Sequence, residues 1–254
     1  IAQCLPSNLD FYYLGLERNS ANFVQGRNKE LRHSSGIRWW GKPGAWDYNF
    51  EFIHQFGKFG GGNINSFTFA CDTGYTWQFG SGNKLRLSLR VDISSGDEDP
   101  LDNDLETFNL MFGKGKHLGQ LAPYGPMNLY EFHPKANIQL LEKLKIVAMW
   151  EFLWRQNLND GVYSIANSPL RTDTQSRVRY VGNQGILEVT WQKSQHIAIT
   201  GTFSYFLPEP TLKKHHMEKT SAICQQCWYI NFNLFWLFLN TERFSFLSSK
   251  LYNG

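Results

Sequence analysis

Cysteine is scarce in this chain, and of its four Cys4 and Cys71 show no pairing logic. Long apolar runs are missing as well. No stretch reaches the roughly 18 apolar residues of a transmembrane helix, and the best, Trp228 to Leu239, is short and carries Asn231 and Asn233. A helical membrane protein is thereby excluded. The start, Ile1-Ala2-Gln3-Cys4-Leu5, has no initiator Met, no basic n-region and no apolar h-region, so no export signal is visible. A Gly-x-Ser-x-Gly elbow is also lacking, and Ser204, His196 and Asp173 are better explained as common residues than as a hydrolase triad. A strong charge imbalance is absent: the formal net charge of +3 averages over loops and decides nothing.

What is present is alternation. In residues 84 to 94, Leu85, Leu87, Leu89, Val91 and Ile93 point one way while Arg86, Ser88, Arg90, Asp92 and Ser94 point the other, because side chains alternate along a strand. One face must meet an apolar phase and the other water. The run matches the roughly 9 to 11 residues with which a tilted strand crosses a bilayer. It recurs at 46 to 56, where Trp46, Tyr48, Phe50, Phe52 and Phe56 oppose Asp47, Asn49, Glu51 and Gln55, with only Ile53 and His54 breaking the pattern. It recurs again at 64 to 77, 129 to 140, 144 to 155 and 197 to 205, with fainter strands at 9 to 17, 31 to 40, 178 to 192 and 221 to 232. Pro134 falls on the apolar parity, which suggests a bulge or a strand end because proline donates no ladder bond.

These candidates are joined mostly by short polar turns such as Gly41-Lys42-Pro43-Gly44, Gly80-Ser81-Gly82-Asn83 and Glu142-Lys143, which predicts an antiparallel meander of about ten strands. Two connections, about 95 to 127 and 156 to 176, are long and rich in Asp, Asn, Gly and Pro. Short turns on one rim and long loops on the other is the asymmetry of an outer-membrane barrel. Aromatic residues make up 16% of the chain, and Trp46, Trp77, Trp154, Trp191 and Tyr205 near strand ends fit interfacial girdles. A large β-sandwich with an aromatic core would use the same composition.

Specific strings sharpen the reading. Ser34-Ser35-Gly36-Ile37-Arg38-Trp39-Trp40-Gly41, Trp46-Asp47-Tyr48-Asn49-Phe50-Glu51, Gly60-Gly61-Gly62, Ser95-Gly96-Asp97-Glu98-Asp99-Pro100, Gly125-Pro126-Met127-Asn128-Leu129, Trp154-Arg155-Gln156 and Asp160-Gly161-Val162-Tyr163 closely resemble, in order and spacing from about residue 10 to 207, the alginate-export family of Gram-negative outer-membrane barrels. The resemblance implies an all-β, antiparallel up-and-down transmembrane β-barrel of roughly eighteen strands, of which this chain supplies about ten C-terminal ones. It also implies a pore for acidic polysaccharide or other anionic solutes, with outer-membrane lipid and the assembly machinery as partners and no nucleic acid. Residues 1 to 232 form the expected barrel domain with its N-terminal strands missing; either an export signal was removed or the chain is a fragment, and the abrupt start of the strands favours the fragment. Trp228-Tyr229-Ile230-Asn231-Phe232 is the nearest equivalent of the family's closing strand. Residues 233 to 254 look unlike the family and predict an atypical tail from a frameshifted or read-through frame.

The polar parity carries the expected chemistry. Arg32, Arg38, Arg86, Arg90, Lys135, Lys145 and Arg155 are expected to face the lumen beside Asp47, Glu51, Asp92, Glu131 and Glu151. Arginine suits carboxylate recognition because its planar fork binds both oxygens while staying charged. The bland alternative is a set of solvated or mutually paired lumen charges. Asp97, Asp99, Asp102, Asp104 and Glu106 hint at Ca²⁺ but fail the EF-hand pattern, so a solvated acidic loop is expected. Cys224, Cys227, His215 and His216 hint at zinc, yet thiols three apart on a strand face opposite sides. No catalytic residue, metal site or cofactor is therefore expected. A barrel enzyme or substrate receptor acting through the loop 95–127 is the alternative to a channel.

Overall fold

A computed structural model of the chain describes residues 7–111, 124–172, 177–194, 197–208 and 227–234. Ten strands run β1 Ser7–Phe23, β2 Gly26–Gly41, β3 Trp46–Phe59, β4 Gly62–Phe79, β5 Asn83–Ser94, β6 Leu129–Leu140, β7 Leu144–Arg155, β10 Tyr180–Gln192, β11 Ile197–Pro208 and β12 Cys227–Leu234. Each pairs antiparallel with its neighbours in one sheet of order β1-β2-β3-β4-β5-β6-β7-β10-β11-β12. This is the meander that the alternation predicts. The pair β8 Val162–Tyr163 and β9 Pro169–Arg171 forms a separate hairpin inside the connection after β7, where the sequence gives no strand signal. The sheet order runs from β1 to β12 without the two pairing, so the sheet is open among the described residues. The closing-strand candidate lies in β12, which continues to Leu234; the rest of the expected tail, from residue 235, is outside the described residues.

Alternation sets the two faces. On the outer parity Phe11, Trp39, Trp46, Phe52, Phe67, Trp77, Leu87, Trp150 and Trp191 are exposed. On the inner parity Glu30, Arg32, Ser34, Gln55, Ser66, Asp92, Glu131, His133, Glu151 and Gln184 are buried. A soluble protein with its polar residues inside and its large apolar residues outside would reverse the ordinary rule, whereas a strand meander in lipid requires it. The two exceptions noted in β3 resolve locally. His54 faces outward and shares a hydrogen bond with Asn65 Oδ1 at 3.0 Å while stacking on Phe56; Ile53 takes the inner side opposite Gly36 and Thr68.

One rim, the turn end, carries the connections 42–45, 80–82, 141–143 and 193–196; the other, the loop end, carries the two-residue turns 24–25 and 60–61 and the long connections 95–128, 156–179 and 209–226. Gly80 and Gly82 adopt φ of +58° and +90° in their turn, a region closed to most side chains. Outward aromatics gather near the turn end: Trp46 packs edge-on against Tyr75 at 5.1 Å, Tyr75 against Trp77 at 4.6 Å, and Trp39 against Tyr48 at 4.9 Å. Such a belt suits the lipid–water boundary.

Pro134 makes neither a bulge nor a strand end. It stays opposite Leu89 on β5, while the pairing with β7 breaks between Phe132↔Phe152 and Lys135↔Met149 and resumes in the same register. A missing donor thus opens the ladder locally without shifting it.

Candidate functional site

The inner wall divides into three tiers by what covers it. At the loop end, the connections fold back over the strands. Phe23, Phe59, Ile64, Leu105, Met127 and Tyr163 make one buried apolar cluster there, and Leu129, Leu153, Val162, Val181 and Phe206 make another. Close approach is built in at Gly62, where a Cβ would meet the Asn103 carbonyl oxygen at 1.5 Å. The hub is Asp160, which is fully buried. Its Oδ2 accepts from Asp97 N at 3.0 Å and Thr107 Oγ1 at 2.7 Å, and its Oδ1 accepts from Gly161 N and Tyr163 Oη, each at 2.6 Å. One carboxylate therefore ties both long loops together. Burial pushes its pKa up, against these four hydrogen bonds. Asn128 adds a second tie, donating to the Asn157 and Gly161 carbonyls at 2.9 Å each and accepting from Asn157 N at 2.6 Å.

The acidic loop is not simply solvated. Asp99, Asp102 and Asp104 accept from the backbone N–H groups of Leu101, Asp104 and Asn63, and Glu106 accepts from Glu98 N. Asp97 is buried, and burial first, then the Asp160 charge, raises its pKa to about 7. These carboxylates cap and position loop backbone.

Two of the expected lumen arginines belong to this tier. Arg32 has no exposed surface. It donates to Glu30 Oε1 at 2.7 Å, Gln55 Oε1 at 2.6 Å, Ser66 Oγ at 2.9 Å and the Thr107 carbonyl at 3.2 Å, and lies over the Phe23 ring at 5.7 Å. Arg155, also buried, donates to the carbonyls of Val178, Leu158 and Asp160. Parity places both on the inner face as expected, but loop backbone covers them, so neither borders open space among the described residues.

In the middle tier the registers Arg90↔His133 and Asp92↔Glu131, with Glu131 and His133 beside Glu151 across β6 and β7, gather five charged or titratable groups. Arg90 Nε donates to Asp92 Oδ2 at 2.6 Å. His133 Nε2 lies 3.2 Å from Glu131 Oε2 and 3.5 Å from Glu151 Oε1. His133 faces the inner wall beside these acids, and the sequence reading gave it no role.

The turn-end tier is half-exposed. Arg86 donates through Nε to Asp47 Oδ2 at 2.9 Å and through Nη2 to Asp72 Oδ1 at 2.7 Å, with a second contact to Asp47 Oδ1. Arg38 Nε donates to Asn49 Oδ1 at 2.7 Å, and its guanidinium stacks on Trp40 at 5.4 Å. Glu51 accepts from Tyr12 Oη at 2.6 Å. Among the described residues, both Nη nitrogens of Arg38 and of Arg90 make no hydrogen bond to protein, and neither does the ammonium of Lys135 or Lys145. A guanidinium held by Nε alone presents its two terminal nitrogens as an unoccupied fork. A concavity of about 870 Å³ is walled mainly by outward groups such as Leu87, Pro134, Ala148, Trp150 and Leu187, with Ser88 and Lys135 of the inner parity also lining it.

Of the other candidates, Ser204 sits buried on the inner face of β11. His196, Asp173, His215, His216 and Cys224 lie outside the described residues, as does the side chain of Cys227.

A family model described as alginate export matches residues 3–222. The chain belongs to the alginate-export family. The match extends past both ends of the stretch that motif order alone marks, 10 to 207, and reaches into the connection before β12. No curated protein matches the chain significantly. The family is one of outer-membrane β-barrel export channels, and the all-β antiparallel sheet of this chain agrees with it.

Proposed function

We propose that this chain forms about ten strands of an outer-membrane barrel of roughly eighteen, and that its inner wall passes an anionic polysaccharide such as alginate, or other anionic solutes. Lipid surrounds the outer face, and the outer-membrane assembly machinery of a Gram-negative bacterium inserts it. The reading takes residues 1 to 232 as barrel and leaves the following segment without a role in transport. The observation that carries it is the state of Arg38 and Arg90. Both stand half-exposed on the inner face, anchored by one nitrogen, with the carboxylate-binding edge of the guanidinium uncommitted.

The carboxylates among the arginines serve the same end. Asp47 and Asp72 hold Arg86 in place, so a passing uronate exchanges contacts with anchored cations instead of folding flexible ones around itself. Attraction that is weak and repeated lets a polymer enter and leave; a single strong site would retain it. Lys135 and Lys145 add positive charge without a bidentate geometry. Within a low-dielectric wall the field of these groups is screened less than at an open surface.

The test replaces Arg38, Arg86 and Arg90 together by Gln in the protein reconstituted in a planar bilayer. The reversal potential in a salt gradient is expected to move toward cation preference, and block by added uronate oligomers to weaken. Lys in the same three positions is expected to keep most of the anion preference and lose part of the oligomer block. An unchanged reversal potential and unchanged block in the triple Gln protein would refute the reading.

A further inference from the structure

The middle tier holds more buried negative charge than its cations answer. Asp92, Glu131 and Glu151 are three carboxylates, and Arg90 supplies one guanidinium among the described residues. Ionised, the group carries a surplus of two negative charges. Buried like charges repel, and an uncompensated one costs several kcal/mol, so something must neutralise them.

Unsatisfied polar atoms converge on the same place. Asp92 Oδ1, Glu131 Oε1, His133 Nδ1 and Glu151 Oε1 are buried with no hydrogen-bond partner, as are both amide atoms of Gln184, which lies opposite Glu151 in the next strand. The exposures of Glu131, His133 and Glu151 are 2%, 1% and 1%. Native proteins leave few such atoms without an answer, and here six gather on adjoining strands. The potential ligand atoms of Asp92, Glu131 and His133 lie within 4.8 Å of one another. Around an ion with bonds of about 2.0–2.2 Å, adjacent ligand atoms stand about 3–3.5 Å apart, a distance that small side-chain rotations reach.

We propose that Asp92, Glu131, His133 and Glu151 bind one divalent first-row transition ion in the inner wall. The charge of the ion equals the surplus. One imidazole among carboxylates favours Zn²⁺ or Mn²⁺ over Ca²⁺, which prefers oxygen alone. The inference rests on this geometry and not on the transport reading: a wall that binds the ion may pass any solute, and a wall that passes alginate need not bind it.

The protein in detergent, stripped with chelator, is titrated by calorimetry with Zn²⁺, Mn²⁺ and Ca²⁺ in turn. One equivalent of Zn²⁺ or Mn²⁺ is expected to bind at micromolar concentration or below, with Ca²⁺ at least tenfold weaker. Glu131→Gln and His133→Gln, which keep side-chain size, are each expected to weaken binding at least tenfold. X-ray absorption on the Zn²⁺-loaded parent protein, which depends on no variant, is expected to show one nitrogen ligand and otherwise oxygen. No binding at millimolar metal, binding unaltered by both variants, or sulfur in the first coordination shell would overturn the site. Failure to bind metal combined with greater thermal stability of Glu131→Gln would assign the cluster to shared protons.

Discussion

The two ends of the inner wall use the same residue type for opposite purposes. At the loop end Arg32 donates to two side-chain acceptors besides Glu30 and to the Thr107 carbonyl, without exposed surface, and Arg155 is spent on three loop carbonyls. At the turn end Arg38 is held by Asn49 and the Trp40 ring and keeps two nitrogens uncommitted. Parity puts all of them inside. What separates them is how many donors are already used and whether backbone lies over them. An inward arginine is thus either a loop clamp or a solute contact, and counting its partners decides between the two.

The largest effect is expected where that count is highest. Arg32→Ala takes from Glu30 one of its two arginine partners, leaving Arg18, and removes a donor from Gln55 and the Thr107 carbonyl; with four buried hydrogen bonds lost, the cost is expected at about 2–4 kcal/mol. Thermal unfolding of the protein in detergent should show the loss, and amide exchange should rise in residues 95–109 before the strands open. A stability equal to the parent would dissolve the distinction between clamp and contact.

The opposition between inner and outer faces is tested next. Leu89→Arg places a charge on the outer face near mid-strand, opposite Pro134, and is expected to cost about 2–4 kcal/mol in a bilayer. Single cysteines at Leu87 and Leu89 should resist a water-soluble thiol reagent in membranes while those at Ser88 and Arg90 react. Equal labelling on both parities would mean that the outer face is not in lipid.

At the turn end the cost to stability shrinks and the functional effect appears. Arg38→Gln gives up one hydrogen bond to Asn49 and one cation–π contact, together about 0.5–1.5 kcal/mol. Unfolding should barely move while single-channel selectivity shifts. A loss as large as that of Arg32→Ala would make Arg38 a clamp as well.

Six of the sheet strands were clearly legible because period-two alternation persists for ten or so residues in each, whereas those at 9 to 17, 31 to 40, 178 to 192 and 221 to 232 showed it only faintly, and the last of them, β12, spans eight residues from Cys227 to Leu234. The β8–β9 hairpin was not legible, since strands of two and three residues are too short to show a period; Asp160 and Tyr163 hold it instead. Depth was equally hidden. Parity puts Arg32 and Arg38 on one face but says nothing of a loop some seventy residues downstream, at Thr107, folding over one of them. The middle cluster shows the limit most clearly. The short turn 141–143 fixes which residue of β7 stands beside His133, so that half could be counted out in advance. The Asp92–Glu131 pairing spans the long connection 95–128, and no turn geometry constrains a register across such a length. Asp160 had a visible trace in the Asp160-Gly161-Val162-Tyr163 string, yet its role as a four-bond hub depends on Asp97 and Thr107 arriving from another loop.

The smallest effect concerns how firmly the loop end stays shut. Asp97 has its pKa raised from the ordinary 3.8 to about 7, first by burial and then by the neighbouring charge of Asp160. Docked, the loop therefore holds a proton on Asp97 that the undocked loop has already released. Between pH 3.8 and about 7 the docked state binds more protons, so its stability is greatest at the acid end, declines as pH rises through this window, and is level above it. Amide exchange in residues 95–109 should accelerate over that interval beyond the intrinsic dependence of exchange on pH, while exchange in the β4 and β5 ladders should not. Asp97→Asn, which keeps the shape and cannot ionise, should flatten the dependence, and what remains should come from Asp160 and Glu106, whose carboxyls burial also pushes up. The effect belongs to the loop end alone, because the anchored arginines of the turn end hold no loop. If Asp97→Asn instead alters ion selectivity without altering loop exchange, the acidic connection acts on the solute path, and the division of the wall into a clamped end and an open end gives way.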